Sequence, residues 1–375
     1  MFSIYTIYCS IVTIETLISK TFIKVKNGEE VLSNHNPFEY IDNTKTNISH
    51  IKVWFTAGMG FFTDAYDLFV IGIILVILNR LASPAFALTP LLNALLASSA
   101  IVTAIIGQLV FGRLADILGR KKIYGFEAMI LVIGALMSAF SPNIYWLLAS
   151  RYIMGFGIGG DYPISSTIMS EYSPRKDRGK LVSLVFASQG IGIAVAVIVG
   201  LISVSFFPHS ISWRILAGVG AIPPALVIYY RRKIPETPRF SLLAKHDKEE
   251  AEKAIKFVGA NTKVVQVKAK EYGMRDFLKN YGILLIGTSI PWLLMDMALY
   301  GTGVFSSPIT IAILGGSNSL KADVLRAGIP LLIGIPGYFL AAAFIDKIGR
   351  KTIQSMGFAM MALLYFVIST SIITN

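Results

Sequence analysis

Three aspartates lie inside apolar stretches of this sequence, where an ionised side chain is unusual. Asp64 and Asp67 stand three residues apart in AGMGFFTDAYDLF, so on a helix they would share one face. Asp161 lies mid-way along RYIMGFGIGGDYPISSTIMSEY, ten residues after Arg151. A carboxylate held away from water is costly, and such a group can instead bind and release a proton near neutral pH. The three residues therefore predict sites of proton exchange.

Each of these residues also has a structural interpretation. If the first helix began later than its apolar pattern indicates, Asp64 and Asp67 would lie at a membrane interface. Asp161 could bond the helix backbone or Ser165. Ionisable groups deep inside apolar segments usually face a cavity and serve a function, which favours the chemical interpretation. Arg151 could be a partner charge for Asp161 or an anchor at the interface, and both interpretations stay open.

A second pattern places hydrogen-bonding groups on one helix face. Trp292, Asp296 and Tyr300 recur every four residues, so they follow one face over about 12 Å. Their indole N–H, carboxyl and phenol offer donors and an acceptor together. An aromatic face with one stray acid is the structural alternative, and the acid argues against it. Gln189 adds an amide in another apolar stretch, where it could bond a neighbouring helix.

The composition indicates that membrane helices position these groups. Of 375 residues, 54% are hydrophobic and 15% are charged, whereas soluble domains have about 25% charged residues. The mean hydropathy is +0.64. Apolar runs of about 20 residues, long enough to cross a bilayer core, recur along the chain. The sequence therefore predicts an all-α polytopic membrane protein with the lipid bilayer as a partner.

The net charge of +12 does not indicate nucleic-acid binding, because the basic residues are concentrated in alternate short loops. They cluster at 119–122, 174–180, 230–233 and 346–352, whereas the loop at 141–143 has none. This positive-inside pattern predicts that the N-terminus and the central loop are cytoplasmic. The single cysteine, Cys9, excludes an internal disulfide and a cysteine-based metal site. We expect no cofactor, no metal and no nucleic-acid partner.

The apolar pattern divides the chain into four parts. Residues 1–50 form an N-terminal cytoplasmic segment, either a surface helix or a spurious upstream extension of the reading frame. Residues 51–232 hold six membrane helices near 54–79, 88–113, 122–141, 144–172, 179–206 and 211–231. A cytoplasmic linker follows at 233–279. Residues 280–375 hold three more helices, near 280–305, 325–345 and 353–373.

An internal repeat relates the two sets of helices. GRLADILGRKK at 112–122 and AFIDKIGRKT at 343–352 each place an acid ahead of a Gly-Arg-Lys turn, between the second and third helices of a set. The residues of this loop motif are Gly112, Arg113, Asp116, Gly119, Arg120, Asp346, Gly349 and Arg350. Related halves are common in secondary transporters, which hold substrate between them near the midplane. The second half is therefore expected to be incomplete, and a second fragment that completes the bundle would be a partner.

Several motifs resemble those of one superfamily. The loop motif, RYIMGFGIGG at 151–160 and PETPRF at 235–240 are similar to segments of the major facilitator superfamily. Narrower stretches at 57–69, 158–172, 185–193, 292–305 and 335–358 resemble the phosphate:proton symporter family of fungi and plants. These stretches follow one another in the expected order from about residue 41 onward. By resemblance, the chain is identified as a member of that family.

The resemblance implies a major facilitator fold and a carrier, not an enzyme, that imports inorganic phosphate with protons by alternating access in the cell membrane. It implies phosphate contacts for Tyr162, Gln189, Trp292, Asp296 and Tyr300. It implies proton coupling through Asp161 and through Asp64 or Asp67, without settling which of these two dominates. Dihydrogen phosphate brings O–H donors that a carboxylate can accept, whereas fully ionised sulfate has none.

The loop motif is expected to bias the inward and outward states through a charge network between Asp116 and Arg120. We group Arg151 with these gating residues. Glu127 and Glu171 are expected near the cytoplasmic ends of their helices, Glu171 paired with nearby arginines.

Two other functions stay open from the sequence. The same scaffold could carry a sugar or an organic acid, because a fold does not fix a function. The chain could also be a truncated, non-transporting product, since the expected tenth to twelfth helices would supply part of the second half.

Overall fold

The computed structural model describes residues 22–26, 29–33, 38–81, 83–259, 267–269, 274–306, 309–310, 315 and 319–374. Within these residues the α-helices are α1 (Glu39–Asp42), α2 (Ile48–Asn79), α3 (Pro90–Leu118), α4 (Arg120–Ile123), α5 (Phe126–Ala139), α6 (Ile144–Tyr172), α7 (Arg178–Phe206), α8 (His209–Val219), α9 (Ile222–Lys233), α10 (Lys248–Phe257), α11 (Met274–Val304), α12 (Leu320–Ile348) and α13 (Arg350–Thr374). The strands are β1 (Phe22–Lys26), β2 (Glu29–Ser33) and β3 (Val267–Ala269). A 3₁₀ turn (Pro84–Phe86) and a π-helical turn (Phe240–Ala244) complete the regular structure.

Eight helical stretches in the described part of the chain are long and apolar enough to cross a membrane. Two of the eight combine consecutive helices, α4 with α5 and α8 with α9. α6 is 29 residues long but falls outside this group, because glycines, serines and charged side chains interrupt its apolar pattern. α2 begins earlier than its apolar pattern indicates, because the Asn47 side chain caps the backbone N–H groups of Ser49 and His50.

α6 and α7 form the centre of the bundle. α6 packs against α3 and α5, and α7 packs against both α2 and α12. The α3–α6 contact is close because Gly155 and Gly159 have no side chains. A Cβ at either glycine would lie 2.2 Å from a backbone oxygen of α3. The GFGIGG segment therefore serves helix packing, as small residues do in membrane bundles.

A small antiparallel sheet accompanies the helices. Its strand order is β2-β1-β3, with β1 paired to both neighbours. β1 and β2 come from the N-terminal segment, and β3 comes from the linker between α10 and α11. The sheet therefore joins two segments that lie far apart in the sequence.

The segment that precedes α2 packs on the same end of the bundle as the linker. Asp42 forms an ion pair with Arg178, and its backbone oxygen accepts a hydrogen bond of 3.0 Å from the N–H of Arg175. Asn47 Nδ2 donates to the backbone oxygen of Val258 over 2.6 Å. Phe38 is fully buried under the guanidinium of Arg239. Residues 38–47 thus connect the α6–α7 turn with α10.

Candidate substrate and proton site

α6 carries two functional side chains next to each other in the sequence. Successive helical residues are about 100° apart around the axis, so Asp161 and Tyr162 point to different neighbours. Pro163 follows them inside the helix, where it removes a backbone N–H. Asp161 faces α2, α5 and α9, whereas Tyr162 faces α7 and α11. Two networks therefore meet at this point of α6.

The first network contains the five residues that the resemblance assigns to substrate. The Tyr162 and Tyr300 hydroxyls are 3.0 Å apart, and Gln189 Nε2 donates to the Tyr162 hydroxyl over 2.7 Å. One turn away on α11, Trp292 Nε1 donates to Asp296 Oδ2. The structure thus brings side chains from α6, α7 and α11 into one polar group.

This polar group opens onto a cavity of about 890 Å³ between α3, α6 and α11. Tyr162, Trp292, Asp296 and Tyr300 line the cavity. Most of the remaining wall is apolar, with Ile101 of α3 as an example. A few polar groups on an apolar wall are typical of a site that binds and orients a small ligand.

The second network is a buried cluster of charges. Arg231 Nη2 lies 2.7 Å from Asp161 Oδ1, and Arg231 Nη1 lies 2.6 Å from Glu127 Oε1. The guanidinium is 4.1 Å above the ring of Tyr124. Ser165 Oγ donates to Asp161 Oδ1 over 2.7 Å. All three charged side chains are at most 2% exposed, so the ion pairs replace hydration that burial has removed.

Asp64 of α2 completes this cluster. Its carboxyl is buried and interacts with Asp161 and Arg231. Neither Asp64 oxygen has a hydrogen-bond partner when both aspartates are ionised. The Asp161 carboxyl is near enough to Asp64 for a proton to bridge the two. The geometry therefore suits a proton shared between α2 and α6.

Asp67 belongs to a different environment, although it lies only three residues after Asp64. Its Oδ1 approaches the backbone at Gly220, where α8 ends, so closely that a Cβ there would lie 2.2 Å away. Arg151 Nη2 donates to the backbone oxygen of Asp67 over 2.8 Å. Arg151 is 2% exposed. Arg151 is therefore buried beside Asp67, whereas Asp161 pairs with Arg231.

The first copy of the loop motif lies at the linker end of the bundle. Arg120 is 3.1 Å from Asp116 and 3.7 Å from Glu171. Gly119 adopts a φ of 101°, which favours glycine, and a Cβ there would also collide with Glu236. Arg113 is exposed, and Gly112 has open space around its Cα.

The second copy repeats this geometry. Gly349 has a φ of 93°, and Arg350 is 3.6 Å from Asp346. Asp346 also accepts a hydrogen bond of 2.8 Å from the backbone N–H of Lys180, in the first turn of α7. The second copy of the motif thus contacts α7.

Glu236 connects the first copy to the chain that follows α9. Its carboxylate accepts hydrogen bonds from the backbone N–H groups of Arg120, Lys121 and Thr237. The Tyr172 hydroxyl donates to the backbone oxygens of Pro235 and Glu236. Burial raises the pKa of the Glu236 carboxyl, and the backbone donors of Thr237 and Lys121 and the charge of Arg120 oppose this rise only in part.

Two residues of the charge cluster do not follow from the sequence. The sequence places the basic run 230–233 in a short loop, but in the structure it forms the last turn of α9, where Arg231 is 2% exposed. Glu127 stands in the first turn of α5, near a helix end as expected, but its carboxyl points into the bundle. No periodic signal marks Arg231, because Arg232 and Lys233 follow it directly.

The helical bundle, with a polar site between its helices, defines a membrane carrier of the major facilitator type. The family "Sugar (and other) transporter" matches residues 53–375, so the chain belongs to this family. This finding confirms the superfamily inferred from the motifs.

Two curated relatives are plant proteins. The chain is 36% identical to "Probable inorganic phosphate transporter 1-6" of Arabidopsis thaliana, over 88% of this chain and 74% of that protein. It is 38% identical to "Low affinity inorganic phosphate transporter 1" of Petunia hybrida, over 88% of this chain and 71% of that protein. A solved structure of the xylose transporter XylE from E. coli, in a partially occluded inward-open conformation, shares the fold with a TM-score of 0.61 and 21% identity. That match covers 82% of this chain and 73% of XylE.

Proposed function

We propose that this chain imports inorganic phosphate together with protons by alternating access. The adjacency of Asp161 and Tyr162 carries this inference, because it places a buried acid cluster beside the polar group that lines the cavity. The names of the plant relatives supply the substrate class. Coupling then has a physical path, since a proton at Asp64 or Asp161 and a ligand at Tyr162 act on the same turn of α6.

Dihydrogen phosphate suits the groups at the cavity. Asp296 offers carboxylate acceptors to the O–H donors of phosphate, while Trp292, Tyr162 and Gln189 carry N–H or O–H donors for its remaining oxygens. Sulfate lacks an O–H donor, so the Asp296 carboxylate would repel it without compensation. Selection for phosphate over sulfate therefore resides at Asp296.

The helices are proposed to form two related sets around this site. α2 to α9 make the six spans of the first set, which the sequence places at 51–232 and the structure at 48–233. α11 to α13 correspond to the first three spans of the second set, which the sequence places at 280–375 and which begins at Met274 in the structure. The matching glycine φ angles at positions 119 and 349 support this correspondence. The linker at 233–279 and the N-terminal segment at 1–50 then lie on the cytoplasmic face of the cell membrane.

Uptake of labelled phosphate into proteoliposomes tests this function. We expect an inward proton gradient to drive accumulation, and a protonophore to abolish it. Excess unlabelled phosphate should compete, whereas sulfate and xylose should not. Uptake that is unaffected by collapse of the gradient would refute proton coupling, and competition by a sugar would assign the site to a different substrate class.

The Asp296→Asn variant tests the substrate assignment at one residue. Loss of the acceptor charge is expected to lower phosphate uptake at least about tenfold and to weaken the discrimination against sulfate, because a charge-assisted hydrogen bond is replaced by a neutral one. Asp276→Asn is the matched control, since Asp276 is an exposed acid in the first turn of the same helix. A variant that keeps wild-type uptake and selectivity would remove Asp296 from the site.

A further inference from the structure

One cation faces three acids in the buried cluster. Arg231 of α9 bonds Asp161 of α6 and Glu127 of α5, while Asp64 of α2 approaches the Asp161–Arg231 pair from the side. Tyr124 also interacts with Arg231, and its ring stacks below the guanidinium. The cluster thus joins four elements of the first helix set.

The charge count of this cluster is unbalanced. Three ionised carboxyls and one guanidinium would leave two negative charges in a site from which water is excluded, an arrangement that burial disfavours. At least one proton is therefore expected to reside here while water is excluded. Asp161 and Glu127 each have a direct ion pair with Arg231, and Asp64 has none.

Gly60 shows how closely α2 approaches the ion pair. A Cβ at this position would lie 1.8 Å from Asp161 Oδ2 and 2.3 Å from Arg231 Nη2. Because glycine leaves this space free, the guanidinium sits directly between α2 and α6. Arg231 is therefore in position to interact with both aspartates and with Glu127.

We propose that Arg231 is a positioning residue that holds the Asp161 and Glu127 carboxyls in ion pairs, and that it thereby leaves Asp64 as the carboxyl that exchanges a proton. This role rests on the proposed proton-coupled transport. Arg231 touches neither the cavity nor the substrate group, so it acts through the carboxyls that it pairs with. Without the guanidinium, the three acids would have to hold one proton more, and they would retain it to higher pH.

The test compares Arg231→Met, Arg231→Lys and Glu127→Gln/Arg231→Met with wild type in proteoliposomes. The pH at which phosphate uptake falls to half its maximum is measured for each. We expect Arg231→Met to move this pH upward by roughly 1–2 units, the usual effect of removing an opposite charge at this distance. Arg231→Lys keeps the positive charge and should shift the half-maximal pH less.

The double variant separates charge from packing. Glu127→Gln/Arg231→Met removes one charge of each sign, so it restores the balance of the wild-type cluster while leaving the guanidinium site unfilled. Its half-maximal pH should return toward the wild-type value. Arg232→Met, at the exposed neighbouring arginine, should leave the pH profile unchanged. A lower rate with an unchanged profile in Arg231→Met, or no return in the double variant, would assign Arg231 to packing alone.

A measurement that does not depend on transport distinguishes the proposed transport function from the proposed role of Arg231. In detergent, the melting temperature of Arg231→Met should fall relative to wild type as the pH rises from 5 to 8, because its folded state must retain a proton that the unfolded chain releases. The melting temperature of the double variant should fall less over the same pH range. If wild-type liposomes fail to couple phosphate to protons but this pattern appears, the transport function is wrong and the role of Arg231 in the charge cluster stands.

Discussion

Asp161 and Tyr162 are adjacent on α6, yet their side chains join two different networks. Asp161 lies 2.7 Å from Arg231 inside the first helix set, and the Tyr162 hydroxyl lies 3.0 Å from that of Tyr300 on α11. A change in charge at Asp161 can therefore reach the substrate group through a rotation or shift of one helical turn. This relationship gives the proposed proton coupling a short structural path.

The Tyr162–Tyr300 contact should contribute to ligand affinity as a pair. We expect Tyr162→Phe and Tyr300→Phe each to raise the KM for phosphate. Expressed as free energies, the change in the double variant should be smaller than the sum of the two single changes. A buried hydroxyl pair contributes about 0.5–1.5 kcal/mol. A double-mutant cycle on KM measures the coupling, with Tyr145→Phe on the exposed side of α6 as control. Strict additivity would show that the two hydroxyls act independently.

Much of the helical framework follows from the sequence, because each long apolar run must satisfy its backbone hydrogen bonds within a helix. Helix ends are less predictable. Asn47 extends α2 toward the linker end through capping hydrogen bonds rather than apolar residues. The small sheet is also not predictable from the sequence pattern. β3 has only three residues, and it pairs with β1, which lies far away in the sequence.

The candidate site, like the helical framework, is predictable from the sequence only in part. Spacing on one helix predicts that Trp292, Asp296 and Tyr300 share a face, and this face lines the cavity. Spacing cannot predict which charges meet across helices. Asp64 reaches the Arg231 cluster while Asp67 faces Gly220, because the neighbouring helices and not the shared face decide the partners.

Gly60 permits the Asp161–Arg231 ion pair to lie against α2. Gly60→Ala should displace the pair without changing any charge, since the added methyl would collide with both side chains. We expect a destabilisation of about 1–3 kcal/mol and a large loss of proton-driven uptake. Gly287→Ala on α11 has open space around it and should be tolerated. Thermal unfolding in detergent and uptake in liposomes measure the two effects; wild-type behaviour of Gly60→Ala would mean that the ion pair does not approach α2 this closely.

An ion pair joins α2 to α12 at the end of the bundle opposite the linker. Arg80, at the end of α2, contacts Asp323 in the first turn of α12, and the second oxygen of Asp323 is buried without a hydrogen bond. Arg80→Gln should weaken the closed state of this face more than Asp323→Asn, because it leaves a buried carboxylate without its counter-charge.

Labelling of a cysteine at Val324 measures this opening. Val324 is fully buried in the structure, so a membrane-impermeant maleimide should react with Val324→Cys only when the face opens. In a Cys9→Ser background, the labelling rate should increase several-fold with Arg80→Gln and less with Asp323→Asn. Lys321→Gln, an exposed cation on the same turn, should not change it. Equal rates in all variants would exclude a closing role for the ion pair.

Glu236 follows α9 and binds the first loop motif, and it should make the stability of the folded chain depend on pH. Its folded-state pKa is raised by burial, so the folded chain binds a proton more tightly than the unfolded chain does. The stabilising effect of the proton is complete at pH values below the ordinary glutamate pKa of about 4.5, and it is lost as the pH rises through the elevated folded value. The melting temperature of wild type, relative to Glu236→Gln, should therefore fall as the pH rises above about 4.5. Glu249→Gln, at an exposed acid of α10, should give no such trend. A difference that grows in the opposite direction would mean that the backbone donors at Arg120, Lys121 and Thr237 outweigh the cost of burial.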